Sequence, residues 1–239
     1  MSRTLFISDL HLSPSRPGVI RAFAHFLQTN TDCDCLYILG DLFDAWIGDD
    51  DDSSIANEVK QLLRDFSHAG PQLFLMQGNR DFLLGVDYCE SIGAQLLADP
   101  TVIDLYSQST LLMHGDSLCT DDVEYQAFRA MVRDPKWQNQ ILSQSLEERH
   151  ALAGQLRNMS KESNSNKPED IMDVNAEAVM IAMRSHGVQQ LIHGHTHRPA
   201  RHIEEPGTRW VLGDWDEKGW ALEATPKEIN LNMFDISMS

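Results

Sequence analysis

At 239 residues, with 42% hydrophobic and 23% charged side chains, the chain has an ordinary globular composition and enough length to bury a substantial core, in one large domain or two small ones. A formal net charge of −17 argues against nucleic acid as a partner, because phosphate backbones recruit basic surfaces, and it suits a protein that holds divalent cations. Apolar runs such as residues 36–39 and 73–76 are strand-length, far from the roughly 20 apolar residues of a membrane-spanning helix.

Residues 4–8, 35–39 and 73–76 read as buried strands, and between them residues 19–28 and 55–66 carry apolar positions at helical spacing. That β-α-β-α-β order predicts parallel strands with right-handed crossovers. The acidic run at residues 49–52 lacks the ligand spacing of a calcium loop and reads as a solvated turn ahead of a Ser53/Ser54 helix cap. Residues 102–106 and 110–113 predict a hairpin. A stretch at about 120–186 holds no strand-like run, and Val123, Phe128, Met131, Val132, Trp137, Ile141 and Leu142 recur at helical intervals. It predicts a helical cap inserted between two core strands of a single domain spanning 1–239, with the polar segment 160–168 as a loop. Residues 129–167 carry seven Lys/Arg against four Asp/Glu, an excess of three positive charges in an acidic chain. Residues 190–193, 210–212, 220–224 and 229–234 suggest an antiparallel finish, so that two packed sheets flanked by helices accommodate the whole. Cys33, Cys35, Cys89 and Cys119 have neither zinc-ribbon nor disulfide-framework spacing. With no signal peptide at the start, they are expected as reduced thiols of a cytosolic protein.

Five motifs carry the chemistry: D-x-H at Asp9 and His11, G-D-x-x-D at Gly40, Asp41 and Asp44, G-N-R-D at Gly78, Asn79, Arg80 and Asp81, H-G-D at His114 and Asp116, and G-H-T-H at Gly194, His195 and His197. Each follows a predicted strand, and strand C-termini in an open α/β sheet converge on one crevice. Extended chain has a period of two, which would turn Asp9 and His11 to one side, and likewise His195 and His197. Carboxylate, imidazole and amide oxygen without thiolate suit Mn²⁺, Fe²⁺, Zn²⁺ or Mg²⁺. Two such ions can polarise a phosphoryl oxygen and lower the pKa of a shared water. Asp44 and Asp116 are expected to orient metal ligands, and Trp46, Trp210, Trp215 and Trp220 to serve as packing residues.

The ordered set of five motifs resembles the calcineurin-like metallophosphoesterase superfamily, and covers the chain except the helical insert. The resemblance implies a four-layer αββα sandwich with a dinuclear site. One ion would be held by Asp9, His11, Asp41 and His197, with Asp41 bridging, and the second completed by Asn79, His114 and His195. Most of the superfamily has histidine after the Gly-Asn pair, which protonates an alkoxide leaving group. Here Arg80 stands in that place, and arginine is no practical acid but neutralises phosphate charge with a bidentate fork. A pyrophosphate substrate follows.

The G-N-R-D variant, the insert and the chain length together resemble the family of UDP-2,3-diacylglucosamine pyrophosphohydrolases of Gram-negative lipid A synthesis. That resemblance implies release of UMP and 2,3-diacylglucosamine 1-phosphate by attack of a metal-activated water on the UMP-side phosphorus, with Mn²⁺ as cofactor. Asn79, Arg80, His114 and His195 would be catalytic, and substrate contacts would fall on Asn79, Arg80, Asp122, Ser160, Asn164, Lys167 and His195. Two acyl chains need an apolar groove, which Met131, Met159, Met172, Met180 and Met183 of the insert are expected to line. A lipid substrate implies peripheral contact with the cytoplasmic face of the inner membrane, without an obligate protein partner. The alternative reading is a phosphodiesterase or nucleotide pyrophosphatase acting on a soluble substrate.

Overall fold

In a computed structural model, whose described residues are 2–165 and 171–236 (backbone alone for 161–165), β1 (Thr4–Ile7), α1 (Pro17–Thr29), β2 (Cys35–Leu39), α2 (Ser54–His68) and β3 (Gln72–Met76) alternate. Pro17 opens α1 at a position where its missing N–H costs nothing, and the Ser53 hydroxyl caps α2 by accepting from the Ala56 N–H. The three strands are parallel, with Thr4 beside Cys35 and Cys35 beside Gln72. Next come α3 (Val86–Ser91) and β4 (Ala94–Leu97), which the sequence reading missed because each is barely a turn or four residues long. The hairpin β5 (Thr101–Leu105) and β6 (Gln108–Met113) follows. Helices α4 (Val123–Val132), α5 (Pro135–Leu142), α6 (Leu146–Ser165) and α7 (Ala176–Ser185) lead into β7 (Gln190–His193), β8 (Ala200–Glu204), β9 (Gly207–Val211), β10 (Lys218–Ala224) and β11 (Ile229–Asp235).

Two of the sequence expectations need correction here. The polar segment after Ser160 continues α6 as far as Ser165, because residues 160–165 contain no glycine or proline to interrupt the hydrogen-bond ladder. The finish is also not simply antiparallel. Strand β7 runs parallel to both β6 and β9, since the unrecognised edge strand β8 takes up the reversal. The remaining pair, β10 and β11, joins the other sheet antiparallel to β1.

The strands form two sheets, ordered β11-β10-β1-β2-β3-β4 and β5-β6-β7-β9-β8. Side-chain alternation along each strand builds four layers. Leu5, Ile7, Leu36, Ile38, Leu73 and Leu75 pack outward against α1, α2 and α3. Phe6, Tyr37, Leu39 and Met76 point the other way and meet Leu112, Ile192 and Trp210 of the second sheet. The far face of that sheet, through Leu111, Met113 and Leu191, is covered by Val179 and Met183 of α7. The order is therefore helix, sheet, sheet, helix. Helix α7 completes the outer layer, whereas Val132, Ile141, Phe128, Trp137, Leu152 and Leu156 of α4–α6 pack with Trp46, Phe82 and Leu83 in the loops after β2 and β3.

Between the sheets Phe6 stacks on Tyr37 at 5.0 Å and Tyr37 on Phe74 at 4.6 Å, one aromatic from each of three adjacent strands. Phe6 is fully buried. Truncation Phe6→Ala should cost about 3–5 kcal/mol in chemical denaturation, by lost transfer energy plus a cavity. A loss below about 1 kcal/mol would contradict this packing of the inter-sheet core.

Candidate metal centre

Every motif lies at the C-terminal end of a strand: Asp9 and His11 after β1, Asp41 after β2, Asn79 after β3, His114 after β6, and His195 and His197 after β7. Backbone hydrogen bonds tie these loops to one another. The Asp9 N–H donates to the Gly40 carbonyl at 3.1 Å, His11 N–H to Asp41 O at 2.9 Å, and Gly194 N–H to His114 O at 2.8 Å. The carboxylate of Asp81, fully buried, accepts from the N–H groups of Gly78 at 2.6 Å, Leu42 at 2.8 Å and Asp41 at 3.2 Å, locking the loops after β2 and β3 together. A Cβ on Gly78 would lie 2.1 Å from Asp41 Oδ1 and 2.3 Å from its nitrogen, so only glycine permits this approach.

Five of the seven candidate ligands adopt left-handed backbone conformations, with φ of 57° at Asp9, 49° at His11, 53° at Asp41, 68° at His195 and 56° at His197. Such backbone costs on the order of 1–3 kcal/mol per residue and persists only where the surroundings over-determine it. The pairing within each motif therefore does not come from extended chain, because both strands end two residues earlier, at Ile7 and His193. Tight turns aim each side chain separately, and His195 and His197 face different parts of the cluster.

Seven side chains meet there. Asp41 presents its two oxygens to opposite sides, Oδ2 lying 3.8 Å from His11 Nδ1 and Oδ1 3.9 Å from His114 Nε2. Asn79 Oδ1 lies 2.9 Å from His114 Nε2 and 2.9 Å from His195 Nδ1. On the other side, His197 Nε2 lies 3.5 Å from Asp9 Oδ1 and 3.3 Å from His11 Nε2. Asp9, His11 and His197 each offer a donor atom within 4.8 Å of the others, and so do Asp9, Asp41 and His114. Asp9 Oδ1 and His11 Nδ1 are buried without a hydrogen-bond partner. Buried polar atoms are almost always satisfied. Two orphaned donor atoms pointing into a nest of carboxylates and imidazoles fit a divalent cation.

The charge balance gives the same reading. Burial pushes the Asp41 carboxyl up to about 7, and burial holds His11 and His195 down to about 3. Burial also works against a charged His114, but the carboxylates of Asp41, Asp116 and Asp9 outweigh it and raise that imidazole to about 9. Its Nδ1 lies 2.9 Å from the Leu39 carbonyl, an N–H donation that leaves Nε2 aimed at the cluster.

Comparison with known proteins now decides the family. The calcineurin-like phosphoesterase profile matches residues 2–199. The UDP-2,3-diacylglucosamine hydrolase of Cellvibrio japonicus is 54% identical, over 98% of this chain and 99% of its own. That of Marinobacter nauticus is 52% identical, over 94% of each. The chain belongs to the calcineurin-like phosphoesterases, in the family of the UDP-2,3-diacylglucosamine hydrolases. A solved archaeal phosphodiesterase shares the fold, with a TM-score of 0.51 and 11% identity over 97% of this chain and 99% of its own. Phosphoesterases of this fold use divalent metal ions, and the donor set above is where this member of the hydrolase family has residues to hold them.

Beside the cluster lies a cavity of about 220 Å³ between α4–α6 and the loops after β2 and β3. Trp46, Phe82, Phe128, Trp137 and Leu156 line it, and Asn79, Arg80 and Ser160 stand in the same wall. Of the five methionines expected there only Met159 contributes; Met183 is fully buried against the second sheet, and aromatic rings fill the role instead. Asp122 caps α4, its Oδ1 accepting from the Tyr125 N–H at 3.0 Å. The side chain of Asn164 and all of Lys167 lie outside the described residues.

The carboxylates near Arg80 are engaged elsewhere. Asp44 pairs with Arg157 rather than orienting a ligand, and Asp81 holds backbone N–H groups. Asp116 reaches the cluster indirectly, accepting from the Tyr125 hydroxyl at 2.8 Å and Arg129 Nε at 2.9 Å, while the Tyr125 ring stacks over His195. The acidic run is no idle turn either, because Asp49 accepts from Gly85 N–H at 2.8 Å and Asp50 grips Arg149. Sequence reasoning also missed Asp214, whose Oδ2 lies 3.5 Å from His197 Nδ1. Its only signal was a carboxylate shortly after a strand.

A cation entering this cluster must displace the protons that His114 keeps up to about 9 and Asp41 up to about 7. Metal affinity should therefore rise as pH climbs through that range and fall as pH drops below it. Calorimetric titration in buffers of differing ionisation enthalpy measures both the affinity and the protons released. A pH-independent affinity with no proton release would contradict the assignment of these two groups as ligands.

Proposed function

We propose that this chain hydrolyses the pyrophosphate of UDP-2,3-diacylglucosamine to UMP and 2,3-diacylglucosamine 1-phosphate in lipid A synthesis. The observation that carries the reading is Arg80. Its backbone N–H donates to Asp41 Oδ1 at 2.7 Å, its residue lines the apolar cavity, and its guanidinium pairs with no carboxylate among the described residues. One residue thus joins a cation-holding cluster to a chamber for hydrocarbon, with an uncommitted positive fork where a diphosphate would lie.

Asp9, His11, Asp41 and His197 would hold one divalent ion, and Asp41, Asn79, His114 and His195 the other. Oxygen and nitrogen donors without thiolate suit Mn²⁺, Fe²⁺, Zn²⁺ or Mg²⁺, and the family resemblance points to Mn²⁺ among them. When bound, such a pair supplies a water of lowered pKa and positive charge for the phosphoryl oxygens. The water oxygen bonds to the UMP-side phosphorus as the bond from that phosphorus to the bridging oxygen breaks, and the water's proton passes to solvent. Asn79 and His195 border the reacting phosphoryl group, and His195, kept neutral by burial, would give its lone pair to the metal rather than a proton to the substrate. Arg80 faces the departing sugar phosphate. That group leaves as an anion and needs charge neutralisation, which a guanidinium gives in bidentate form. Ser160, Asn164, Lys167 and Asp122 are the proposed contacts to the rest of the substrate.

The acyl chains occupy the cavity under α4–α6, which serve as a cap. No helix among the described residues is long and apolar enough to cross a membrane. Access to a lipid substrate comes instead by peripheral contact with the cytoplasmic face of the inner membrane, on the side of the exposed Met159 of α6.

Substrate profiling of the purified protein with Mn²⁺ tests the proposal. Acylated UDP-glucosamine should be cleaved far faster than its non-acylated counterpart, and ¹⁸O from labelled water should appear in UMP. Label in the sugar phosphate, or equal rates on the two substrates, would overturn it. Arg80→Ala should lower kcat on the order of 10²–10³-fold, with metal affinity unchanged.

A further inference from the structure

Helix α4 has two working faces. Tyr125 and Phe128 line the apolar cavity. From the C-terminal end of the same helix, Arg133 reaches the loop after β3. Its Nη2 donates to the Gly78 carbonyl at 2.9 Å and to the Gln77 carbonyl at 3.3 Å, and its Nη1 donates to Gln77 Oε1 at 2.8 Å. Gln77 in turn donates from Nε2 to the Leu84 carbonyl at 2.6 Å, closing the base of the loop that carries Asn79, Arg80 and Asp81. Gln138 of α5 adds a donation to the Phe82 carbonyl at 3.2 Å. Helix α4 also holds the opposite side of the centre, because Arg129 and Tyr125 both bind Asp116.

The Gln77, Gly78 and Phe82 carbonyls are therefore satisfied by side chains of the cap, while the Arg80 carbonyl accepts from the Trp46 N–H at 3.2 Å. A cap helix that contacts the acyl chamber on one face and grips the Asn79–Arg80 loop on the other links the two regions mechanically.

We propose that Arg133 is a positioning residue that couples filling of the apolar cavity to placement of the Asn79–Arg80 loop, and so makes turnover depend on acylation of the substrate. The inference rests on the reading of the cavity as the acyl chamber. Arg133 touches neither the ligand cluster nor the reacting phosphates. Hydrocarbon packed against Phe128 and Tyr125 seats α4, and the guanidinium, holding two successive carbonyls at once, transmits that seating to the loop. A misplacement of about 1 Å at reacting groups is enough to cost roughly 10²-fold in rate. A substrate without acyl chains leaves the chamber empty and gains nothing from the clamp.

The test is steady-state kinetics of the full chain with Mn²⁺ on acylated and non-acylated UDP-glucosamine, for wild type, Arg133→Ala and Arg133→Lys. Arg133→Ala should lower kcat on the acylated substrate roughly 10–100-fold, with KM and Mn²⁺ affinity little changed. Activity on the non-acylated substrate should hardly move, so the preference for acylation shrinks by nearly the same factor. Lysine, which donates to carbonyls without the planar fork, should restore part of it. An equal fall on both substrates, or no fall on either, would overturn the coupling. If Arg133→Ala melts near the assay temperature, Arg133→Lys and Gln138→Ala carry the same comparison. Loss of acyl preference already in the wild type would instead count against the chamber itself, which separates the two claims.

Discussion

The whole arrangement depends on loops at the strand ends being hydrogen-bonded to one another, within each sheet and also between the two. Between the sheets, the His195 N–H donates to Asp9 Oδ2 at 2.9 Å and the Trp215 N–H to the Asp9 carbonyl at 3.1 Å. Asp9, Asp41 and His114 are almost wholly buried, and each sits beside another group of the same or titratable charge. Left to relax, carboxylates so placed would separate or take up protons. They stay because Gly40 and Gly194 bond across to neighbouring loops, and because Asp81 spends its whole carboxylate on backbone N–H groups. Left-handed turns at five candidate ligand positions store the cost of that convergence. A divalent cation pair removes the electrostatic part of it, so the site is built to be completed by charge it does not carry.

The same economy shows in how a chain of net charge −17 deploys its guanidinium groups. Arg16 donates to the Leu10 carbonyl at 3.1 Å and pairs with Asp216, bracing the loop that carries Asp9 and His11. Arg149 holds Asp50 and the Ile47 carbonyl, Arg157 holds Asp44, and Arg129 holds Asp116. Each fixes a loop around the centre. Arg80 alone among these five pairs with no described carboxylate, and it is the one that stands in the cavity wall beside Asn79. The arginines that brace loops and the one proposed to face substrate differ in whether a carboxylate partner is present among the described residues.

Much of this was legible in the sequence, and the residues show why. Strands β1–β3 announced themselves because both faces are buried, giving continuous apolar runs, and the five motifs marked their ends in order. Strands β4 and β8, whose side chains are half-exposed and mixed in polarity, gave no period to read. Chain pattern also could not separate a polar helix from a loop at the end of α6. The candidate ligands stood out because few structural roles need alternate histidines beside a glycine. Their approach was not, since Asp9 and His11 converge through turns with positive φ that no side-chain periodicity encodes. Long-range partners stayed hidden for the same reason. That Asp44 would meet Arg157, or Asp50 would meet Arg149, depends on how α6 lies across the loops, which separation in the chain conceals. The cavity was anticipated as a feature of the insert, but the methionines named for it were an inference from composition, and large aromatics line it instead.

The central claim is that one pair of divalent cations shares the carboxylate of Asp41 between the two halves of this cluster. Anomalous diffraction from crystals grown with Mn²⁺ tests it most directly. The account predicts two separate manganese peaks, one on the side of Asp9, His11 and His197 and the other on the side of Asn79, His114 and His195, with Asp41 between them. A single peak, or manganese bound away from Asp41, would contradict it.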